Sequence, residues 1–209
     1  MKYLNIKSII IKKFKHASSK CDNSTNIKRE NFLNQKFKAD KPGIKWVGDI
    51  TYIYTSNSGW TYLATVMDLF DLKLIGWSYS TRMTSDIAID ALKMAVSNRK
   101  MEDNIIFHSD QGSQYISKDF ESLLKSFNIK HSYSKKGYPY DNASMESFNS
   151  ILKKELIYTK PFDTFYNSKL ELFDFIENWY NDKRIHSSLN YVSPNQFYLN
   201  YYQNKLLYS

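Results

Sequence analysis

The stretch "IIFHSDQGSQY", residues 105–115, decides the fold. Ile105 to Phe107 form a short apolar run bounded by turn formers, the pattern of a strand covered on both faces. Asp110 falls just past the carboxyl end of that strand, and Gly112 lets the backbone turn away. Open α/β sheets place their chemistry at the carboxyl ends of strands. A carboxylate at this point is therefore a candidate functional group, although a strand-end aspartate that is merely solvated would read the same way. The flanking sequence has to separate the two.

Upstream, "WVGDITYIY" (46–54) and "WTYLATVMD" (60–68) are β-rich runs separated by "TSNSG", a hairpin signal, and "LKLIGWSYS" (72–80) makes a third strand. Three strands joined by short turns predict an antiparallel meander. "TSDIAIDALKMAVSN" then carries Ile87, Ala91 and Ala95 with Leu92 and Val96 at helical spacing. Downstream of the strand at 104–109, Phe120, Leu123, Leu124 and Phe127 mark a helix opened by Ser117, and "IKHSYS" (129–134) a fifth strand. Asn142 is a helix-cap residue type opening a helix to about Tyr158. Ser168 with Glu171 reads as a capping box for a long helix through Trp179, and Ser193-Pro194 with Gln196 opens the last one. The order is three strands, helix, strand, helix, strand and then helices, that of an α/β chain.

The charge is unevenly distributed. Residues 1–45 hold 12 Lys and Arg against 3 Asp and Glu, whereas the remaining residues hold 17 against 18. A basic arm on a near-neutral body points to contact with nucleic-acid phosphates. Residues 16–31 are polar and without an apolar period, so the expected organisation is a basic amino-terminal segment and linker over 1–40 and a catalytic core over 41–200. The single cysteine, Cys21, excludes a disulfide framework and a multi-cysteine zinc site. No apolar run approaches the length of a membrane span. A cytoplasmic protein is the expectation.

Asp49 interrupts the first strand and shares a pleat face with Val47, Thr51 and Ile53, so it points toward a covered side. An ionised carboxylate there is costly unless something positive meets it. Glu146 lies in the first turns of the helix after Asn142, ~200° from Phe148, whose stripe with Leu152 and Leu156 is the buried one. Lys153 returns to within ~20° of Glu146, whereas Glu155 points the other way. Two aspartates on adjacent central strands and a glutamate on a helix can converge at one sheet edge. Three hard oxygen ligands suit Mg²⁺ or Mn²⁺.

The strings "WVGDITYI", "HSDQGSQY", "GYPYDNASMESFNSILKKEL" and "WYNDKRIHSSLNYVSP" resemble the DDE transposases of bacterial insertion sequences, the orfB-type catalytic subunit of the IS-three group, whose core is similar to retroviral integrase. Asp110 and Glu146 stand at that family's interval, and Lys153 fills its basic position. The resemblance runs from about Lys41 to about Gln196. It implies an RNase H-like fold, a mixed five-stranded sheet flanked by helices, and two Mg²⁺ (or Mn²⁺) ions held by Asp49, Asp110 and Glu146 as catalytic residues. It also implies cleavage at the element's ends followed by attack of the freed 3′-hydroxyl on another phosphodiester. Lys153, Lys135, Lys136 and Arg184 are the candidate DNA contacts. The rest of the closing motif, Tyr180, Asn181, His186, Leu189 and Pro194, reads as a helix end and turn packed against the core.

The implied partners are the DNA of element ends and target, a second copy of the chain on DNA, and a small helix-turn-helix protein from the same element; the implied location is the bacterial cytoplasm, associated with the nucleoid. Family members usually carry more basic helical sequence ahead of the core, so end recognition is expected to depend on such a segment. The alternative from another class is an inactive DNA-binding remnant that regulates transposition. A purely hydrolytic RNase H-like nuclease would not need the closing motif, and a retroviral-type integrase would carry a His/Cys zinc module.

Overall fold

The computed structural model describes residues 29–135 and 139–207. The expected basic segment lies outside the described residues as far as residue 28, as does Lys136. Residues 29–40, ahead of the expected core boundary, lie on the core: Leu33 is buried, and Glu30 accepts a backbone hydrogen bond from Tyr133 at 3.0 Å.

Five strands form one sheet in the order β3-β2-β1-β4-β5. β1 (Lys45–Thr55), β2 (Gly59–Asp68) and β3 (Leu74–Ser80) are the antiparallel meander, with Tyr52 opposite Tyr62 and Asp49 opposite Thr65. β4 (Ile106–Ser109) pairs parallel to β1 with Val47 opposite His108, and β5 (Lys130–Tyr133) pairs parallel to β4. The parallel pairings follow from the crossover helices between them, because a parallel neighbour cannot be reached by a tight turn.

Helices cover both faces. α1 (Ser85–Asn98) and α2 (Lys118–Ser126) bury Ile87, Ala91, Leu92, Ala95, Phe120 and Leu124 against Trp46, Ala64, Val66 and Phe107. α1 lies directly on β3 because Gly76 has no side chain; a Cβ there would stand 2.1 Å from the Ala91 carbonyl oxygen. On the opposite face α3 (Ala143–Leu152) and α4 (Phe165–Phe173) bury Met145, Phe148, Leu152 and Leu172 against Val47, Ile53, Leu63 and Met67. Both helices pass into π-helical segments, at Lys153–Ile157 and Asp174–Asn181. α5 (Pro194–Leu207) follows the closing motif. Among the described residues no helix is long and apolar enough to cross a membrane.

One helix start and one cap differ from the sequence reading. α4 begins at Phe165 because Thr164 Oγ1 accepts from the Asn167 N–H at 3.2 Å, which places Ser168 inside the first turn. Its hydroxyl donates back to the Thr164 carbonyl at 2.7 Å. Asn142 stands at the cap position of α3 without capping through its side chain, whose amide donates to the Gly48 carbonyl of β1 at 3.3 Å. That bond fastens α3 to the strand carrying Asp49.

Candidate active site

β1 and β4 run side by side in the same direction, and Asp49 and Asp110 each lie two residues beyond the paired residues Val47 and His108. They share the pleat phase that faces α3. β4 has ended at Ser109, so Asp110 is exposed at the sheet edge, whereas Asp49 lies within its strand and is half-buried. Burial, and then the neighbouring charge of Asp110, push the Asp49 carboxyl up to about 7 against the pull of hydrogen bonds from the Ile50 N–H and Asn149 and the charge of Lys153. Two carboxylates this close, one enclosed, form a site that favours a cation or a proton.

The turn after β4 fixes Asp110. Its Oδ1 accepts from the Gly112 N–H at 2.9 Å, and a Cβ on residue 112 would lie 2.9 Å from that same oxygen. Glycine is needed here for close approach. We expect Gly112→Ala to leave the melting temperature near wild type while lowering any activity that depends on Asp110 about tenfold or more, since small misplacements of a reacting group carry penalties of that size. A wild-type rate in a single-turnover assay would show that Asp110 does not depend on this turn.

Behind Asp110, the Ser109 hydroxyl donates to the Asp110 carbonyl at 2.8 Å and meets His131 Nε2 at 2.9 Å, and His131 Nδ1 meets Glu121 at 2.7 Å. The order of groups is that of a hydrolase triad. Ser109 is completely buried, however, and its proton is committed to a backbone carbonyl, so the chain braces the strand end. His108 is a brace as well. Burial pushes its imidazole down to about 4, so the ring is neutral. Ser132 Oγ accepts the N–H groups of Phe32 and Leu33 at 2.9 and 3.0 Å, which leaves its proton to donate to His108 Nδ1 at 2.9 Å. Nε2–H then donates to Ser134 Oγ at 2.9 Å. The Tyr115 phenol is buried and held well above its ordinary value, first by burial and then by Asp49 and Asp110. In "HSDQGSQY", then, Asp110 and Ser113 reach solvent, while the buried His108, Ser109, Gln114 and Tyr115 support the turn that carries Asp110.

α3 supplies the third side of the site. Asn149 Nδ2 donates to Asp49 Oδ2 at 2.6 Å. Glu146 lies one turn before Asn149 on the same side of the helix and is exposed. Lys153 begins the π-helical segment one turn after Asn149, and its charge reaches Asp49. Glu155 is turned away; it lines a cleft of about 410 Å³ with Leu170, Phe175 and Trp179. Asp49 and Asp110 are thus together, with Glu146 on the helix face turned toward them. Among the described residues no three acidic or histidine side chains stand close enough together to form a preassembled metal cluster.

The other candidate DNA contacts lie apart. Lys135 follows β5, and its backbone N–H donates to Asp141 Oδ2 at 2.9 Å. Arg184 Nη1 is 3.2 Å from both ring nitrogens of His186, and its guanidinium lies 6.0 Å from the centre of the Tyr180 ring. Asn181 exchanges two 3.0 Å hydrogen bonds with the backbone of Leu74, at the sheet end where β2 hands over to β3. This anchors the closing motif to the core. Sequence reasoning missed Asn149, although its position ~60° from Glu146 on a helical wheel would have found it.

Known proteins share this architecture. Two models described as "Integrase core domain" match residues 39–139 and 127–194. The transposase for insertion sequence element IS904 of Lactococcus lactis is 43% identical over 185 residues, covering 88% of this chain and 72% of that protein. Transposase InsF for insertion sequence IS3A of Escherichia coli is 47% identical over 168 residues, covering 80% of this chain and 58% of that protein. The HTLV-2 integrase catalytic core domain, solved in complex with magnesium, superposes with a TM-score of 0.58 at 21% identity, over 75% of this chain and 97% of that one. The sheet order and its helical cover are those of an RNase H-like integrase core, and the chain belongs to the integrase-core transposases of bacterial insertion sequences, a family of polynucleotidyl transferases.

Proposed function

We propose that this chain cleaves the DNA ends of its own insertion sequence and joins the freed 3′-hydroxyl to target DNA, with Asp49, Asp110 and Glu146 holding two Mg²⁺ or Mn²⁺ ions. The observation that carries the reading is the placement of Asp49 on β1 and of Asp110 just past the end of its parallel neighbour β4, beside the helix that bears Glu146. The donor set fits: two carboxylates that repel one another at the end of a sheet are hard oxygen ligands in want of positive charge. Divalent ions bound there supply the charge that activates a water or sugar hydroxyl and stabilises the leaving oxygen of an in-line displacement. Asn149 orients Asp49, the Gly112 N–H orients Asp110, and Glu146 completes the ligand set from α3. The site is open toward solvent on the Asp110 side, as access for a DNA strand requires.

Lys153 contacts a phosphate of the bound end, and Lys135, Lys136 and Arg184 add backbone contacts farther out. The active form is a homo-oligomer on DNA in the bacterial cytoplasm, at the nucleoid, assisted by a helix-turn-helix protein of the same element. Incubating the chain with end DNA and Mg²⁺ tests the reading: nicked and joined products are expected, and no product with any end sequence or divalent metal would overturn it. Lys153→Ala should weaken end binding while the fold persists, and should reduce the magnitude of the salt slope, log Kd against log salt, by ~0.9. An unchanged slope and joining rate would reduce Lys153 to a surface charge.

A further inference from the structure

β1 and β2 run on past the helix cover of the sheet. Ser80, the last residue of β3, pairs with Tyr62, and α1 starts at Ser85 after a short loop. Beyond that point the face packed by α1 and α2 continues bare. It carries Tyr52, Tyr54 and Trp60, with Tyr62, paired to Tyr52 and partly buried against the core, at the edge of the helix cover. Tyr52, Tyr54 and Trp60 are 48%, 56% and 58% exposed, on a strand pair whose other face is buried at Thr51, Ile53, Thr55, Thr61 and Leu63. Their contacts are edge-on: Tyr52 to Trp60 at 6.4 Å and 82°, Tyr52 to Tyr62 at 5.2 Å and 73°, Tyr54 to Trp60 at 5.3 Å and 72°. No two of these rings stack face to face, and each edge-on contact covers at most one face of one ring.

The strip lies on the sheet face opposite the Asp49 side chain, on the part of β1 that runs on past the end of β4, where Asp110 stands. Tyr52 is three residues beyond Asp49, and its phenol is raised by burial, then by Tyr62 and by the charges of Asp110 and Asp49. Residues 50–67 contain no charged side chain, so nothing on the hairpin repels phosphate. Arg82, exposed, stands two residues past Ser80, and its loop is tied to the Asp110 loop by the bond from Gln114 Nε2 to the Met83 carbonyl at 3.1 Å. The hairpin is held from behind: the Ser56 and Asn57 N–H groups donate to the Phe162 and Asp163 carbonyls at 2.8 and 2.9 Å. Cross-strand aromatic pairs stabilise a hairpin, but a row of exposed rings on a fixed support, beside a reactive centre and flanked by a cation, is the composition of a surface for single-stranded nucleic acid.

We propose that Tyr52, Tyr54, Trp60 and Tyr62 form a platform on which unpaired bases of the DNA strand next to the attacked phosphodiester stack, with Arg82 meeting its backbone. The platform rests on the transposase reading of the adjacent site, and it adds a surface that holds locally opened DNA there. Stacking tolerates any base, so the platform contributes strand opening and placement without reading sequence.

The test uses the full chain without metal and a short fluorescein-labelled oligothymidylate, compared with a duplex of the same length. Trp60→Ala and Tyr54→Ala should each weaken single-strand binding on the order of tenfold, with duplex binding near wild type and Trp60→Phe restoring most of the loss. In joining assays on end DNA, the Trp60→Ala defect should shrink when the flanking nucleotides are left unpaired in advance. Unchanged single-strand binding would overturn the platform, as would an equal loss on duplex DNA. A change of oligomeric state in sedimentation would instead make the strip a contact between copies, and also overturn it. Wild-type chain that binds the single strand through these rings but never cleaves end DNA would overturn the catalytic reading alone.

Discussion

Asp49→Asn, Asp110→Asn and Glu146→Gln are each expected to lower Mg²⁺-dependent end cleavage and joining by roughly a thousandfold or more, the several kcal/mol of transition-state charge stabilisation that bound metal supplies. Folding should survive in all three. Asp110 and Glu146 are exposed, and the Asn149 amide that now donates to Asp49 Oδ2 can donate equally to the carbonyl oxygen of an asparagine. Asp49→Asn should even raise the melting temperature of the metal-free protein. Its carboxyl is held up at about 7 by burial and by Asp110, so the folded state takes up a proton that the unfolded chain binds only near its ordinary value. Metal-free stability therefore falls as pH rises between those two values, and the neutral amide removes that loss. Added Mg²⁺ should raise the melting temperature of wild type but not of the three variants, by simple mass action. Glu155→Gln, in the cleft beside α4, is the matched control and should cleave normally. Substantial cleavage by any of the three variants in a gel assay would remove that residue from the ligand set.

Arg99→Ala should cost about 3–5 kcal/mol of folding stability, because it leaves two buried carboxylates without their cation. Arg99 Nη2 is 2.7 Å from Asp71 Oδ2, and Nε is 3.2 Å from Asp68 Oδ2 without hydrogen-bond alignment. All three side chains are buried, and Tyr198 of α5 lies over the guanidinium at 4.3 Å. Backbone N–H groups of Gly43 and Phe70 also serve Asp68, at 2.7 and 3.0 Å. One positive charge is shared between two carboxylates. Burial raises both, and Asp71 raises Asp68 further, against the pull of Arg99. Removing Arg99 should raise them more. The variant then recovers stability as pH falls from neutral toward the ordinary carboxylate range, more steeply than wild type, since a carboxylate with a raised folded value favours folding when protonated. Adding Asp71→Asn to Arg99→Ala should return part of the loss. Urea unfolding at two pH values measures all of this, and a loss under about 1 kcal/mol with no pH dependence would mean that water reaches the cluster.

The cluster joins the turn after β2, the end of α1 and α5, segments whose local sequence gives no sign of one another. Asp68 reads as a strand end and Arg99 as a helix end. Only the fold brings them into one dry space, where their charges must balance. The aromatic strip is similar. Tyr52, Tyr54, Trp60 and Tyr62 fit a strand pair from sequence alone, but their exposure depends on where α1 begins and how far β3 extends.

The sequence by itself determined the five strands and their order along the chain, because alternation and short apolar runs between turn formers are local signals. It also singled out Asp49 by its covered face, Asp110 by its place after a strand and Glu146 by its helix face. It expected the two aspartates on adjacent strands but could not fix the register of that pair or the partner of each polar group. Tertiary structure set β4 parallel to β1 in the register that gives Asp49 its repulsive neighbour; it committed the Asn142 side chain to Gly48 instead of to the helix it precedes, and moved the cap of α4 to Thr164. It also separated "HSDQGSQY" into a carboxylate presented on an open turn and the buried supports His108, Ser109, Gln114 and Tyr115. The reason is common to all of these: a side chain's partner and its exposure are settled by groups far away in sequence, and hydrogen bonding and desolvation act only once the chain has brought them together.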